Sequence, residues 1–217
     1  MAAPAQQRRA QRGRSRSERT ADSRQLILDA TLDCLYELGY ARTTTLTIQA
    51  RAGVSRGRLL HHFPSREGLL VAACSYLSST YLAELEDRAA EAWRNFSGSD
   101  VERLDRAVDM AWSTHRQKFF WGSIELWTAA RNDERLRAAL HPAERRIGTA
   151  IQHLLNTMFG PRFSSHPRFP MVCELMLTSM RGVALTYAFS PHAHSDDPHL
   201  PMWREITYLL LDENSHA

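Results

Sequence analysis

Arg56, Arg58, His61 and His62 fall within one short stretch, and Gly57 separates the two arginines. An arginine guanidinium can pair bidentately with O6 and N7 of guanine in the major groove of DNA. A glycine between two such residues removes a side chain, so the backbone can approach a partner closely. Just outside this stretch, Thr44, Thr45 and Arg66 stand at predicted helix starts, where phosphate contact is favoured. The chemistry on offer is recognition of a nucleic-acid duplex. The competing reading is a basic helix pair that is merely solvated.

Two short helices must hold these side chains. The first is predicted to start after Thr44 and to run to Ala52, with Gly53 just past its end in the place of a left-handed residue. Val54 is expected to be buried in the turn. Ser55 is a natural N-cap for the second helix, Arg56 to His62. Pro64 stops that helix and Ser65 can cap the next. Two capped helices joined by a short glycine-containing turn are a helix-turn-helix unit. Leu59, Leu60 and Phe63 can then face Ile48, Ala52 and Val54. That leaves Arg56, Gly57, Arg58, His61 and His62 along the outer side, with Ser55 at the helix start.

The run Ala52-Gly53-Val54-Ser55, then Leu59, then His62-Phe63-Pro64-Ser65-Arg66-Glu67-Gly68-Leu69-Leu70 resembles the TetR family of bacterial one-component regulators. The specific likeness extends from Ile27 to Leu77. Beyond it only the general layout matches. The chain departs from the family pattern twice. Leu60 stands where a tyrosine is usual, so the phosphate bond made by that hydroxyl is absent or supplied elsewhere. Gln49 stands where a small residue is usual, which bears on how the two helices pack. The resemblance implies a dimer, and a small effector held in a mostly apolar pocket between the later helices.

The chain has 217 residues, 43% of them hydrophobic, enough to bury a real core. No apolar run approaches the length of a membrane span. The arginine-rich start has no apolar stretch behind it, so it does not read as a secretory signal. A cytoplasmic protein is expected. Cys34, Cys74 and Cys173 lie far apart among apolar neighbours and read as buried small hydrophobes. Net charge is only +3 but uneven: residues 1 to 77 hold 12 bases against 6 acids, and the rest 15 bases against 18 acids. Such asymmetry suits a nucleic-acid-facing half joined to a half with another task.

Taken in order, residues 1 to 19 carry six arginines and almost no apolar anchor, so they cannot fold alone. They are either a solubilising tail or an arm lying along phosphates. Residues 20 to 66 form the predicted DNA-binding domain, with a first helix from about Ala21 to Leu38 ended by Gly39. Residues 67 to 217 form the predicted effector-binding and dimerisation domain. Its opening helix continues unbroken to about Trp93 and is the obvious mechanical link. Five further helices follow, one with a kink expected near Pro142. No stretch alternates apolar and polar residues, so an all-α fold without a sheet is expected.

In the second domain Trp112, Phe120, Trp121, Glu125, Trp127 and Tyr187 are the pocket candidates, although an aromatic stripe is commonly core. A carboxylate such as Glu125 among indoles needs a partner or a cavity. An apolar or aromatic effector is expected, with a positive charge if Glu125 faces it. Ser179 and Gly182 on the eighth helix allow close helix approach. Trp203, Ile206, Leu209 and Leu210 on the ninth form an apolar face that one domain would hardly cover, so these six residues are the candidate homodimer interface. A helix-turn-helix also needs a twofold partner to read two half-sites.

The chain contains no GxSxG, HExxH, phosphate-binding glycine loop or CxxC pair. No enzyme and no cofactor are expected. His192, His194 and His199 with Asp196 and Asp197 are a weak metal pattern, better read as solvated. The resulting expectation is a dimeric repressor that a small molecule releases from double-stranded operator DNA. The alternative is a helical small-molecule- or metal-binding protein with no DNA-binding role.

Overall fold

The computed structural model describes residues 16–94, 96–190 and 197–211, with side chains from Thr20 onward. Every regular element among them is helical. In chain order these are α1 Arg16–Arg42, α2 Thr45–Ala52, α3 Arg56–His62, α4 Arg66–Arg94, α5 Asp100–Ser113, a 3-10 turn Thr114–Arg116, α6 Lys118–Ala130, α7 Glu134–Ser164, α8 Phe169–Phe189 and α9 His199–Leu211. The chain divides into two compact units, residues 1–74 with 125–140, and residues 75–124 with 141–217. The divisions fall inside α4, α6 and α7.

In the first unit the core is built from Ile27, Leu28 and Cys34 of α1, Ile48 of α2, Leu59 and Phe63 around α3, and Leu69 and Ala73 of α4. The helix ends are closed by their own side chains. The Thr44 hydroxyl accepts the Thr47 N–H at 3.1 Å, and the Thr47 hydroxyl accepts the Thr44 N–H at 2.8 Å. This reciprocal box satisfies two of the amide groups that a helix start leaves unpaired. Gly53 ends α2 at φ 63°, a left-handed conformation that a side chain would strain. Ser55 caps α3 by accepting the Arg58 N–H at 3.3 Å, and Ser65 caps α4 by accepting that of Gly68 at 3.1 Å.

Two expectations for this unit change. Leu60 does not turn inward but is 40% exposed, and Val54 is half-buried. Leu59 and Phe63 are one turn apart and already fill the inner face of a seven-residue helix, which rotates Leu60 away from it.

The second unit has its own core. Leu104, Ala107, Val108, Ala111 and Trp112 bury one face of α5 against Met158 and Phe159 of α7, Phe169, Met176 and Met180 of α8, and Trp203 of α9. Ser99 and Glu102 form a second capping box, and the Ser99 N–H holds the Glu102 carboxyl below its ordinary range. The helix containing Pro142 keeps helical backbone there and leaves it at Gly160 instead, so the expected kink is displaced. Cys34, Cys74 and Cys173 are buried free thiols, and burial pushes Cys173 up to about 12. Among the described residues no helix is long and apolar enough to cross a membrane.

Candidate DNA-reading surface and effector site

The outer side of α3 carries Arg56, Gly57, Arg58, Leu60 and His61, all exposed, over the buried pair Leu59 and Phe63. Among the described residues neither Arg56 nor Arg58 meets a carboxylate. Arg51, in the same unit, is by contrast held by Glu37 at 2.5 Å. A guanidinium left without an anion at a helix start is free to meet phosphates and base edges. A Cβ added at Gly57 would meet nothing within 4 Å, so packing inside this chain does not call for glycine there. His62 is half-buried, edge-on to His61 at 5.5 Å, and burial, reinforced by the charges of His61 and Arg58, lowers its pKa. Ser55 and Thr44 lie exposed as caps, and Thr45, half-buried, opens α2.

Arg66 lies elsewhere than its place at a helix start implied. Its side chain turns back into the head, where Nε donates to the Thr43 carbonyl at 2.8 Å and a second nitrogen donates to the Tyr40 carbonyl. The guanidinium lies 4.2 Å from the centre of the Tyr40 ring. A helix-start arginine with two carbonyls in reach of its fork, one of them bonded only by the Thr43 N–H, satisfies them before it can reach for a phosphate. The sequence carried a faint signal of this. The chain reverses at Gly39, and the carbonyls that follow a broken helix need donors.

Glu125 is also redirected. Its carboxylate accepts the Tyr40 N–H at 2.7 Å, and the Tyr40 hydroxyl donates to Asp133 at 3.1 Å. Gly39, at φ 73°, leaves room for that carboxylate, since a Cβ would lie 3.2 Å from Oε2. Glu125 thus gains a partner from a backbone amide in the first unit. Trp127 falls in the same unit.

The remaining pocket candidates converge in the second unit. Trp112 stacks on His115 at 5.5 Å and meets Tyr187 edge-on at 6.2 Å. Phe120 lies 4.9 Å from His115 and 5.3 Å from Trp121. His115 was not singled out from the sequence. It is buried, which depresses its pKa to about 4, and Nδ1 lies 3.2 Å from the Ala111 carbonyl. A neutral ring with its proton on Nδ1 fits that contact. A surface cleft of about 380 Å³ lies elsewhere in this unit, beside Trp93, Arg103, His153 and Asn156, and takes in none of these aromatics.

The family model described as bacterial regulatory proteins, tetR family, matches residues 27–73. A curated but uncharacterized HTH-type transcriptional regulator of Mycobacterium tuberculosis is 26% identical over 202 residues, 91% of this chain and 97% of that protein. The HTH-type transcriptional regulator CymR of Pseudomonas putida is 26% identical over 172 residues, 79% of this chain and 82% of that one. Among solved structures, the multidrug binding protein EbrR complexed with ethidium superposes at a TM-score of 0.61, at 20% identity, over 88% of this chain and 99% of that one. Residues 27–73 thus match the DNA-binding segment of the tetR family, and along most of its length the chain is similar to HTH-type transcriptional regulators. It is a DNA-binding transcriptional regulator.

The second unit presents a further surface that the sequence pattern revealed only in part. Gly182 is exposed, and a Cβ there would meet nothing within 4 Å. Met171, Leu175, Leu185 and Phe189 line up with it at helical spacing on α8, all exposed, Phe189 at 94%. On α9 Leu209 is exposed, and Ile206 and Leu210 are half-buried. Trp203 corrects the expectation of an uncovered face. It is 3% exposed, packs 4.8 Å from Trp112 and donates its indole N–H to Ser179 at 2.9 Å. Because α9 starts at His199, Trp203 sits in its second turn on the inner side, and Ser179 is its partner inside the chain. Met171, Leu175, Leu185 and Phe189 were missed because a helix that is apolar on most sides does not announce which side stays uncovered. His192, His194 and Asp196 lie outside the described residues, and among the described ones no group of metal-ligating side chains forms.

Proposed function

We propose that this regulator is a dimeric repressor that a small apolar or aromatic effector releases from operator DNA. The observation that carries the DNA-binding surface is the pair Arg56 and Arg58, without a carboxylate between them, on a capped helix above buried Leu59. Glycine inside a helix costs about 1 kcal/mol relative to alanine. Gly57 has no packing reason inside the chain, which supports close approach by a partner from outside. Exposed Leu60 and Leu46 lie in the same two helices and suit thymine methyls or sugar edges.

The same argument supports the dimer. Gly182 without a neighbour, flanked by exposed Leu175 and Leu185, suits a second helix laid closely across α8, with Leu209 and Leu210 of α9 beside it. Two copies would then present two α3 helices to successive major grooves. The effector would lie among Trp112, Phe120, Trp121 and Tyr187. EbrR, the structural neighbour, is described as a multidrug binding protein and holds ethidium, a planar aromatic. Helix α4 starts beside α3 and runs without a break into the second unit, so a ligand that prefers one pose of α4 would change DNA affinity.

The test is binding to the DNA upstream of the chain's own coding region, by gel shift over a range of salt. A steep fall of affinity with salt is expected, about −0.9 in the log–log slope per phosphate contact. Protection of a site with two half-sites about one helical turn apart would support the dimer. The same weak affinity for every sequence would sink the operator reading.

A further inference from the structure

The polar atoms around Tyr187 are unevenly matched. The Asp197 side chain is fully buried. Its Oδ1 accepts three bonds, from the Tyr187 hydroxyl at 3.1 Å, the His199 N–H at 2.9 Å and His199 Nδ1 at 3.0 Å. Its Oδ2 is buried and, among the described residues, accepts none. The indole N–H of Trp112, 6.2 Å from Tyr187 between ring centres, is buried and unpartnered as well. Buried polar groups in native proteins are almost always paired, and a charged one left unpaired is the most costly kind. Capping explains Oδ1, because it receives the first amide of α9. It does not explain the second carboxylate oxygen, which is buried and bare.

We propose that Asp197 Oδ2 is the anchor of the effector site and that the effector is an aromatic amine bound in its protonated form. The inference rests on the effector reading above and names the ligand class for it. A carboxylate oxygen with no donor calls for one, and a positively charged nitrogen both donates and offsets the buried charge. Asp197 is bonded by Tyr187, whose ring meets Trp112 at 6.2 Å, and by His199, whose ring lies 5.7 Å from Trp203; aromatic faces favour a cation over an anion. A ligand carboxylate would face a buried like charge and is disfavoured. The acid that matches a cation is therefore Asp197, whose second oxygen is buried and bare, and not Glu125, which belongs to the first unit.

The experiment measures binding of tryptamine and naphthylmethylamine to the full chain by ligand-observed NMR. Each is compared with the alcohol and the carboxylate of the same skeleton. Each amine should bind at least about tenfold tighter than its alcohol, the usual size of a hydrogen bond to a charged group. The carboxylates should bind weakest. Asp197→Asn should bring amine and alcohol to parity. Asp197→Ser removes the charge while its hydroxyl can still cap α9, and it should give the same parity should Asp197→Asn fail to fold. Amines that bind no better than alcohols, or an amine preference that survives loss of the charge, would overturn the proposal. That is the result if both orphaned atoms merely hold water. Operator release is read separately by fluorescence anisotropy. Asp197-dependent amine binding without release would remove the effector reading and leave the site. Release by the alcohols with Asp197→Asn unaffected would remove the site and leave the effector reading.

Discussion

The reading head and the aromatic unit treat polar side chains in opposite ways. In the head, threonines and serines close helix ends, Arg66 and Glu125 satisfy backbone groups around Tyr40, and the cations that meet no carboxylate lie outside. In the aromatic unit the atoms without partners among the described residues lie inside, at Trp93, Trp112, Asp197 and Arg204, and α8 exposes a stripe of apolar side chains. An unpaired group at the surface costs little because water satisfies it, and it is then available to DNA. The same group in a core costs about 1–3 kcal/mol, more when charged. The contrast separates a surface that meets a large external partner from an interior that suits a small one.

The largest effect should come from the apolar outside of the second unit. Leu185→Glu places a charge in the middle of the exposed α8 stripe. We expect monomers in sedimentation and a fall of operator affinity toward the non-specific level, about 4–10 kcal/mol. Far-ultraviolet circular dichroism should stay native, because Leu185 lies outside the core. A mutant that remains dimeric and binds normally would move the interface off α8.

Next in size is the buried histidine. The folded pKa of His115 is about 4 against an ordinary 6.5, so the unfolded chain takes up its proton first as pH falls. Its contribution to stability is therefore complete above about pH 6.5 and declines between there and pH 4, about 3 kcal/mol in all. Thermal melts from pH 7.5 to 4.5 should show this acid loss, and His115→Phe should flatten it. An equally steep fall in the variant would place the acid sensitivity on other groups.

Two substitutions of about 1–3 kcal/mol then separate reading from support within the head. Arg58→Ala should weaken operator binding by that amount and relax preference at one G·C pair, while the melting temperature holds. Glu125→Ala leaves the Tyr40 N–H without its acceptor and should lower stability by a similar amount, with no change in base preference. If Glu125→Ala altered sequence preference and left stability intact, its carboxylate would be acting on the reading surface.

How much of this was legible in the chain follows from the range of the forces involved. Caps, the left-handed Gly53 and the stop at Pro64 act within a few residues, so α2 and α3 appear in the sequence almost at their observed bounds. The exposed placement of Arg56 and Arg58 on α3 was legible for the same reason. Arg66 and Glu125 were misread because their partners, the carbonyls of Thr43 and Tyr40 and the amide of Tyr40, lie 23, 26 and 85 residues away. Trp203 was misread because periodicity shows that a helix has an apolar face and not which neighbour covers it. His115 gave no local signal, since its character comes from burial, and Asp197, read as solvated, is instead buried and caps α9 through the His199 N–H.

The smallest effect concerns Thr44, whose two readings differ by little in energy. As a cap it accepts the Thr47 N–H, and Thr44→Ala should then cost about 1 kcal/mol of stability. Thr44→Ser keeps the hydroxyl and should cost almost nothing. As a phosphate ligand, its removal would also make the salt slope of operator binding less steep. A neutral hydroxyl releases no counterion of its own, so it can do this only by shifting a neighbouring arginine, with a change of about 0.9 for each phosphate that arginine leaves. Comparing Thr44→Ala with Thr44→Ser at two salt concentrations reads both at once. A stability loss with an unchanged slope assigns Thr44 to the helix end alone. A changed slope in the alanine variant, restored by serine, would add Thr44 to the DNA-reading surface beside Arg56 and Arg58.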